Sequence, residues 1–299
     1  MLIGHKKQWQ FLKRSAELGR LSHAYLFSGP SKVGKRALAQ EWASFLINAD
    51  IKSRIHPDFD LVLPQLPEGE ETGKKEIKIS QIRDLIWKLS LKPSLAPLKV
   101  AILDECHLMN FEAQNSFLKT LEEPKDKTIL ILISEHPDML LPTIRSRCEF
   151  IKFQPVPKKE IDDYFKKEGI GEKLLQEISE ISLGRPGEAM DFISNPQKLN
   201  DWKASAEKLV KMANSTLAAR FQYAKELAER SDLAEILEIW LAYFRGIMIS
   251  KISADKNRKE DYPLEAMRKI VAKIQNTIFL LSSTNANSRL ALEALMLEF

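Results

Sequence analysis

The stretch AYLFSGPSKVGKRALAQ, residues 24–40, places an apolar strand, a glycine-containing loop and a helical pattern in direct succession. It matches the pattern G-x-x-x-x-G-K-[S/T] at Gly29, Gly34 and Lys35. In that pattern the glycines let backbone N–H groups turn onto phosphates, and the lysine reaches the terminal phosphates. The stretch therefore predicts a nucleotide-binding α/β domain built on a parallel sheet.

The last position of the pattern departs from it, because Arg36 stands where a serine or threonine hydroxyl ligates Mg²⁺. A guanidinium cannot ligate a metal ion, and it adds a fixed positive charge where the metal would lie. We expect nucleotide to bind here weakly or without the ordinary metal geometry.

Further apolar runs alternate with helical patterns up to residue 153, which is typical of crossover units in a parallel sheet. The runs are FDLVLP (59–64), KVAILDE (99–105), TILILIS (128–134) and EFIKF (149–153). Between them we predict a helix over residues 80–90 with Ser80 as its N-cap, and another from residue 111 that ends at Pro124.

Beyond residue 153 the strand patterns stop and helical patterns continue. We predict an α/β domain over residues 1–154, a small helical domain over residues 155–197 and an all-α domain over residues 198–299. A chain of 299 residues is longer than one hydrophobic core usually serves, which agrees with several domains.

Composition limits the function classes. No apolar run approaches the length of a membrane span, and a net charge of +4 on a chain with 29% charged residues identifies no nucleic-acid site. The two cysteines are too few for a disulfide framework and lack the paired spacing of a zinc site. These features favour a soluble protein of a reducing cytoplasm.

Two more motifs carry candidate chemistry. Asp104 and Glu105 follow an apolar strand, as do the carboxylates that ligate Mg²⁺ and polarise the attacking water in phosphoryl transfer. The presence of both acids opposes the expectation, based on Arg36, that nucleotide binds without the ordinary metal geometry. Arg145 and Arg147 precede the last predicted strand, where an arginine can face a neighbouring subunit's triphosphate, although a surface ion pair is the simpler interpretation of these two residues alone.

Taken together, the motifs resemble the delta-prime subunits of the bacterial DNA polymerase III clamp loader, a family of the AAA+ group. The resemblance lies in SHAYLFSGPSKVGK, HPDFDLV, KISQIRDL, KVAILDECHLMNFEAQNSFLKTLEEP, LLPTIRSRC and NANSRLALEAL. It implies an AAA+ parallel sheet with flanking helices, then a helical lid and an all-α collar. The SRC trio, residues 146–148, is shared by clamp-loader subunits widely, and HPDFD at residues 56–60 favours delta-prime.

The resemblance also implies partners and roles. Such a subunit joins gamma- or tau-like motor subunits and a delta subunit in a five-membered arc, which opens a sliding clamp and places it on primed DNA, without a membrane. By this resemblance Arg147 is an arginine finger that acts in trans on a neighbouring motor subunit, while Ser146 and Cys148 shape its turn.

Several positions depart from the family pattern. Residues 48–56, NADIKSRIH, contain no cysteine, so we predict no zinc. The polar sensor falls at Ser134 or Glu135, and Gly187 stands where a lid arginine is expected, with Arg185 two residues earlier. We therefore predict a non-hydrolysing subunit that requires no cofactor and holds no metal.

Lys35, Asp104 and Glu105 nevertheless leave room for weak ATP or ADP binding, so two alternatives stay open. The first is an ATP-hydrolysing motor subunit, similar to gamma or to the small subunits of replication factor C. The second is an unrelated phosphate-loop enzyme with a small-molecule substrate, although no further motif in the sequence indicates a pocket for one.

Overall fold

The computed structural model describes residues 2–51, 56–66, 73, 75–124, 127–230, 232–252, 264–284 and 286–299. The no-zinc prediction rests in part on residues 52–55, which lie outside the described residues.

A five-stranded parallel sheet forms the centre of the N-terminal part, with the strand order β2-β3-β4-β1-β5. Its strands are β1 (Ala24–Ser28), β2 (Phe59–Val62), β3 (Lys99–Leu103), β4 (Thr128–Ser134) and β5 (Glu149–Lys152). The accompanying helices are α1 (Lys6–Glu17), α2 (Lys35–Ile47), α3 (Ile79–Ser90), α4 (Phe111–Glu122) and the short α5 (Pro142–Arg145). The predicted parallel sheet with flanking helices is confirmed.

The three central strands are continuous apolar runs because both faces of the sheet are covered. Every residue of β1, β3 and β4 is buried. One face packs against a cluster that includes Trp42 of α2, and the other against a cluster that includes Phe117 of α4. This double coverage explains the β-branched and aliphatic runs of the sequence, as expected for a parallel sheet.

The register brings the ends of the central strands to one edge of the sheet. Ser28 pairs with Ser134, and Leu103 pairs with Leu132. The segments that follow β1, β3 and β4 therefore begin side by side, as the carboxyl ends of parallel strands do. This edge carries the phosphate-binding motif and both acidic residues.

Some element boundaries differ from the sequence prediction. β2, β3 and β5 end before the last residues of their apolar runs. Ser80 is not an N-cap, since α3 begins at Ile79, and the Gln81 Oε1 accepts a 3.0 Å hydrogen bond from the backbone N–H of Lys78. The end of α4 at Glu122, just before Pro124, agrees with the prediction.

After β5 the described residues form helices and their connecting loops, without a strand. The helices are α6 (Lys158–Lys167), α7 (Glu172–Ile181), α8 (Pro186–Ser194), α9 (Pro196–Ala213), α10 (Leu217–Ala228), α11 (Leu233–Ile252), α12 (Leu264–Ser283) and α13 (Ser288–Met296). The helical character predicted for this region is confirmed.

The chain divides into two compact units. The first comprises Met1–Tyr164 with Gly184–Gly187, and the second Phe165–Leu183 with Glu188–Phe299. The second unit has its own apolar core, in which Trp240 of α11, Ile274 of α12 and Leu292 of α13 are fully buried. The division into three domains stays a prediction. Within the described ranges, no helix is both long and apolar enough to span a bilayer.

Candidate functional site

The loop between β1 and α2 has the backbone that phosphate binding requires. Gly29 has a φ of 153°, and a Cβ at this residue would lie 2.4 Å from the Phe153 carbonyl oxygen. Gly34, with a φ of 109°, is the N-cap of α2, and among the described residues no side chain caps this helix. The first N–H groups of α2 therefore face the loop, where they can bind an anion.

The Lys35 side chain turns back into its own loop. It is only 6% exposed, and its Nζ donates hydrogen bonds of 2.6 Å to the carbonyl oxygens of Gly29 and Pro30. Burial lowers the pKa of Lys35, while the nearby carboxylates of Glu135, Asp104 and Glu105 oppose that effect. The Lys35 ammonium group is thus bound to the backbone of the phosphate loop itself.

Arg36 forms an ion pair with Asp104. Its Nη1 lies 3.6 Å from Oδ2 of Asp104, and the carboxylate is largely buried while the guanidinium is half-exposed. Burial raises the pKa of Asp104, and the Arg36 guanidinium and the Glu105 N–H oppose that rise. The carboxylate that would ligate Mg²⁺ therefore faces a guanidinium, and the hydroxyl ligand is missing. The residues of this site do not fit an ordinary magnesium centre.

A cavity of about 300 Å³ opens at the same edge of the sheet. Its described lining residues include the loop residues Ser31, Lys32, Gly34, Lys35 and Arg36, together with Asp104, Glu105, Ser134, Glu135 and Gly187. Both sensor candidates, Ser134 and Glu135, line it. Ser134 is fully buried, and its hydroxyl has no hydrogen-bond partner among the residues that the structure describes.

Gly187 occupies the cavity wall at the position where a lid arginine is expected. Its N–H donates a 2.8 Å hydrogen bond to the Lys32 carbonyl oxygen. A Cβ at Gly187 would lie 3.0 Å from that oxygen and 3.1 Å from the Lys32 Cβ, so a side chain has little room here. The backbone of Gly187 braces the phosphate loop instead of presenting a charge to the cavity.

The SRC turn lies between α5 and β5, and its three residues are not among the cavity's described lining residues. The Arg147 Nη2 lies 2.8 Å from Oε1 of Glu122, and its Nη1 donates a 3.0 Å hydrogen bond to the Thr143 carbonyl oxygen. The Arg147 side chain remains 34% exposed. The Ser146 hydroxyl donates to the same carbonyl oxygen of Thr143, and burial raises the pKa of Cys148 to about 12. Ser146 therefore bonds back within the turn, and the Cys148 thiol is buried beneath it.

The neighbouring Arg145 forms an ion pair with a different acidic residue. Its Nη1 lies 2.7 Å from Oδ1 of Asp138. The two arginines of the turn thus have separate acidic partners, which makes Arg145 a matched control for Arg147.

Two residues of the first unit have structural roles that the sequence does not reveal. The His5 Nε2–H donates a 2.8 Å hydrogen bond to the Val33 carbonyl oxygen, and its ring packs edge-on against Phe153 at 4.7 Å. Asp58 of the HPDFD motif is buried and accepts N–H groups from the loop at residues 94–96. No motif marks His5. The HPDFD motif marked Asp58 as a family feature without its structural role.

Comparison with known proteins places the chain in a family. The family model described as DNA polymerase III, delta subunit, matches residues 4–157, which is more than half of the chain. The DNA polymerase III subunit delta' of Pseudomonas aeruginosa is 38% identical over 142 residues, which cover 42% of this chain and 42% of the relative. That of Bacillus subtilis is 31% identical over 217 residues, which cover 68% of this chain and 62% of the relative. The chain therefore spans less than two thirds of the length of these relatives.

The chain is also similar to gamma and tau subunits of DNA polymerase III. The DNA polymerase III subunit tau of Bacillus subtilis is 27% identical over 280 residues, which cover 84% of this chain and 50% of the relative. Among solved structures, a DNA polymerase III gamma subunit-related protein from Thermotoga maritima superposes with a TM-score of 0.52 at 24% identity, covering 97% of each chain. This structural likeness concerns the fold.

Proposed function

The chain belongs to the DNA polymerase III delta-subunit family, and from this premise we propose that it is a delta-prime-type subunit of a clamp loader. In this proposal it does not hydrolyse ATP and offers Arg147 to the ATP site of a neighbouring motor subunit. Its partners are gamma- or tau-like motors and a delta subunit in a five-membered cytoplasmic arc that acts on a sliding clamp and primed DNA. The predicted collar, residues 198–299, holds the subunits together.

The position of Arg147 is the observation that carries the proposal. Its guanidinium is partly exposed, and Arg147 is absent from the described lining residues of this chain's own cavity. Because Arg147 is not among the described residues that line its own nucleotide cavity and its guanidinium is partly exposed, its position supports a role at a site on another chain.

The local contacts of Arg147 would let its guanidinium exchange Glu122 for a phosphate of a neighbouring subunit. Glu122 and the Thr143 carbonyl oxygen hold the side chain on the turn before a partner arrives. Because Glu122 is 49% exposed, its ion pair with Arg147 contributes no more than about 1 kcal/mol, and exchanging it for a triphosphate costs little. A planar guanidinium can then donate two parallel hydrogen bonds to phosphate oxygens as negative charge develops on them. Such a finger is worth roughly 10³- to 10⁵-fold in rate.

The chain's own nucleotide site supports the non-hydrolysing part of the proposal. Arg36 pairs with Asp104, the carboxylate that a motor subunit would use for Mg²⁺. Gly187 braces the loop where a motor subunit would present an arginine. Two elements of phosphoryl transfer are therefore replaced by contacts within the chain.

The test is the ATPase activity of a reconstituted clamp loader that contains the Arg147→Ala subunit. We expect ATP turnover at the adjacent motor site to fall by about 10³-fold or more, since a finger is lost, while the complex still assembles. The matched control is Arg145→Ala, two residues away on the same turn, which should leave turnover within about twofold. Equal turnover with Arg147→Ala and with the unchanged subunit would refute the finger assignment.

The motor interpretation is the second candidate, favoured by the convergence of Lys35, Asp104 and Glu105 on one cavity. It requires that the chain hydrolyse ATP despite Arg36. Measurable turnover of the isolated chain that Lys35→Ala abolishes would favour it. Unchanged ATP turnover of a reconstituted loader that contains the Lys35→Ala subunit would exclude it.

A further inference from the structure

We infer that Arg36 takes the place of the divalent cation in the cavity, so that the site binds the phosphates of a nucleoside di- or triphosphate without Mg²⁺. The inference deepens the proposed function in its ligand, because it assumes that the family's phosphate loop still meets a nucleotide. It does not depend on Arg147 or on any neighbouring subunit.

The geometry of Arg36 suits a bridge between protein and phosphate. In an ordinary site the metal ion links an acidic side chain to the phosphate oxygens. Here Nη1 of Arg36 lies 3.6 Å from Asp104 Oδ2, and the Arg36 side chain remains 45% exposed. A guanidinium carries five N–H donors in a fixed plane, so one edge can face Asp104 while another faces a phosphate.

The cavity also offers donors that have no other function in the chain. The first N–H groups of α2 face the loop, and no side chain among the described residues caps them. The buried hydroxyl of Ser134 lines the same cavity and lacks a hydrogen-bond partner within the described structure. A buried hydroxyl without a partner is costly, and a ligand oxygen in the cavity would satisfy it.

The charges of the cavity explain why a metal ion adds little. The described lining residues carry three cations, Lys32, Lys35 and Arg36, and three carboxylates, Asp104, Glu105 and Glu135. A metal ion at Asp104 would have to displace or face the Arg36 guanidinium, which like-charge repulsion disfavours. The phosphates are therefore bound through directed N–H and O–H donors and the guanidinium of Arg36, beside the lysines of the loop.

The experiment is a titration of the isolated chain with ribose-labelled fluorescent ADP and ATP, once in EDTA and once in excess Mg²⁺. We expect the two dissociation constants of the unchanged chain to agree within about twofold. In Arg36→Thr, which restores the hydroxyl and frees Asp104, the affinity in EDTA should fall about tenfold or more, since a charge-assisted contact is lost. Added Mg²⁺ should restore that affinity, because the variant has the ordinary ligand set. Unlabelled tripolyphosphate should compete for the site, which assigns the binding to phosphate.

Two controls separate the bridge from general effects. Arg83→Thr removes an exposed arginine of α3 that is not among the cavity's described lining residues, and it should bind as the unchanged chain does. Thermal unfolding of each variant without ligand shows whether the fold is intact. A second variant, Arg36→Gln, removes the charge without restoring the hydroxyl. Arg36→Gln should lose affinity in EDTA and regain none with Mg²⁺.

Three results would overturn the inference: binding by the unchanged chain only with Mg²⁺, no binding in either buffer, or equal affinity of Arg36→Thr and the unchanged chain in EDTA. Because the titration uses the isolated chain, its failure is distinct from a failure of the Arg147 assignment, which is measured in the assembled loader.

Discussion

Replacing Asp58 by alanine should destabilise the first unit by about 3–5 kcal/mol, the usual cost of removing one partner from a buried charge pair. Asp58 is 1% exposed, and its carboxylate accepts the N–H groups of Ser94, Leu95 and Ala96 at 2.7–2.8 Å. The Lys99 Nζ lies 4.0 Å from its Oδ1 and is itself buried, with a 3.0 Å hydrogen bond to the Lys88 carbonyl oxygen. The alanine variant would leave three N–H donors and one ammonium group without their acceptor.

Thermal unfolding followed by circular dichroism measures the effect. For a unit of this size, the expected loss lowers Tm by about 6–20 °C. The matched control is Asp60→Asn in the same motif, where the lost contact is a 2.7 Å ion pair to the half-exposed Lys88. That surface pair should contribute less than about 1 kcal/mol. Equal Tm values for Asp58→Ala and Asp60→Asn would refute the buried-anchor role of Asp58.

The same residue makes stability depend on pH in a defined direction. Burial by itself would raise the pKa of Asp58, but the three N–H donors and Lys99 lower it below its usual value of 3.8. A carboxylate with a lowered folded-state pKa stabilises the fold above the unfolded-state pKa, and this contribution is lost as pH falls through the folded-state pKa. The Tm difference between the unchanged chain and Asp58→Asn should therefore be constant near neutrality and shrink below about pH 4. A difference that grows on acidification would contradict this assignment.

Two further predictions test the packing around the site and the SRC turn. Gly29→Ala should lower the free energy of unfolding by about 1–3 kcal/mol, because its Cβ would lie 2.4 Å from the Phe153 carbonyl oxygen. The control is Gly171→Ala, whose Cβ would have no described atom within 4 Å. In urea unfolding, its free energy of unfolding should stay within about 0.5 kcal/mol of that of the unchanged chain. Comparable losses for the two variants would show that the loop is not sterically restricted. Burial raises the pKa of the Cys148 thiol to about 12 and that of Cys106 well above its usual value, so both thiols are held in their unreactive, protonated form. Iodoacetamide should therefore label the folded chain much more slowly than the chain in guanidinium chloride, and equal rates would contradict the burial of both thiols.

Much of the site could be predicted from the sequence because its motifs follow strands that end at one edge of a parallel sheet. The loop after β1 and the acids after β3 each lie beside an apolar run of clear length. Once the sheet is parallel, these segments must converge, whatever the details of the helices. Lys35, Asp104 and Glu105 accordingly line one cavity.

Other features depend on side-chain positions or distant contacts, which local patterns do not encode. The sequence shows that Arg36 is unsuited to a metal, but only the folded chain shows that it pairs with Asp104. The brace between Gly187 and Lys32 joins residues far apart in the chain. The predicted N-cap at Ser80 is wrong for a local reason: the Gln81 Oε1 accepts the backbone N–H of Lys78, so Lys78 is the N-cap of α3.

The most direct test of the central claim compares two variants of this subunit in one reconstituted loader. Lys35→Ala alters the chain's own nucleotide site, and Arg147→Ala alters the residue offered to the neighbour. If the chain acts in trans, steady-state ATP turnover of the loader should be unchanged by Lys35→Ala and should fall strongly with Arg147→Ala. A fall with Lys35→Ala and no change with Arg147→Ala would contradict the account and identify the chain as a motor subunit.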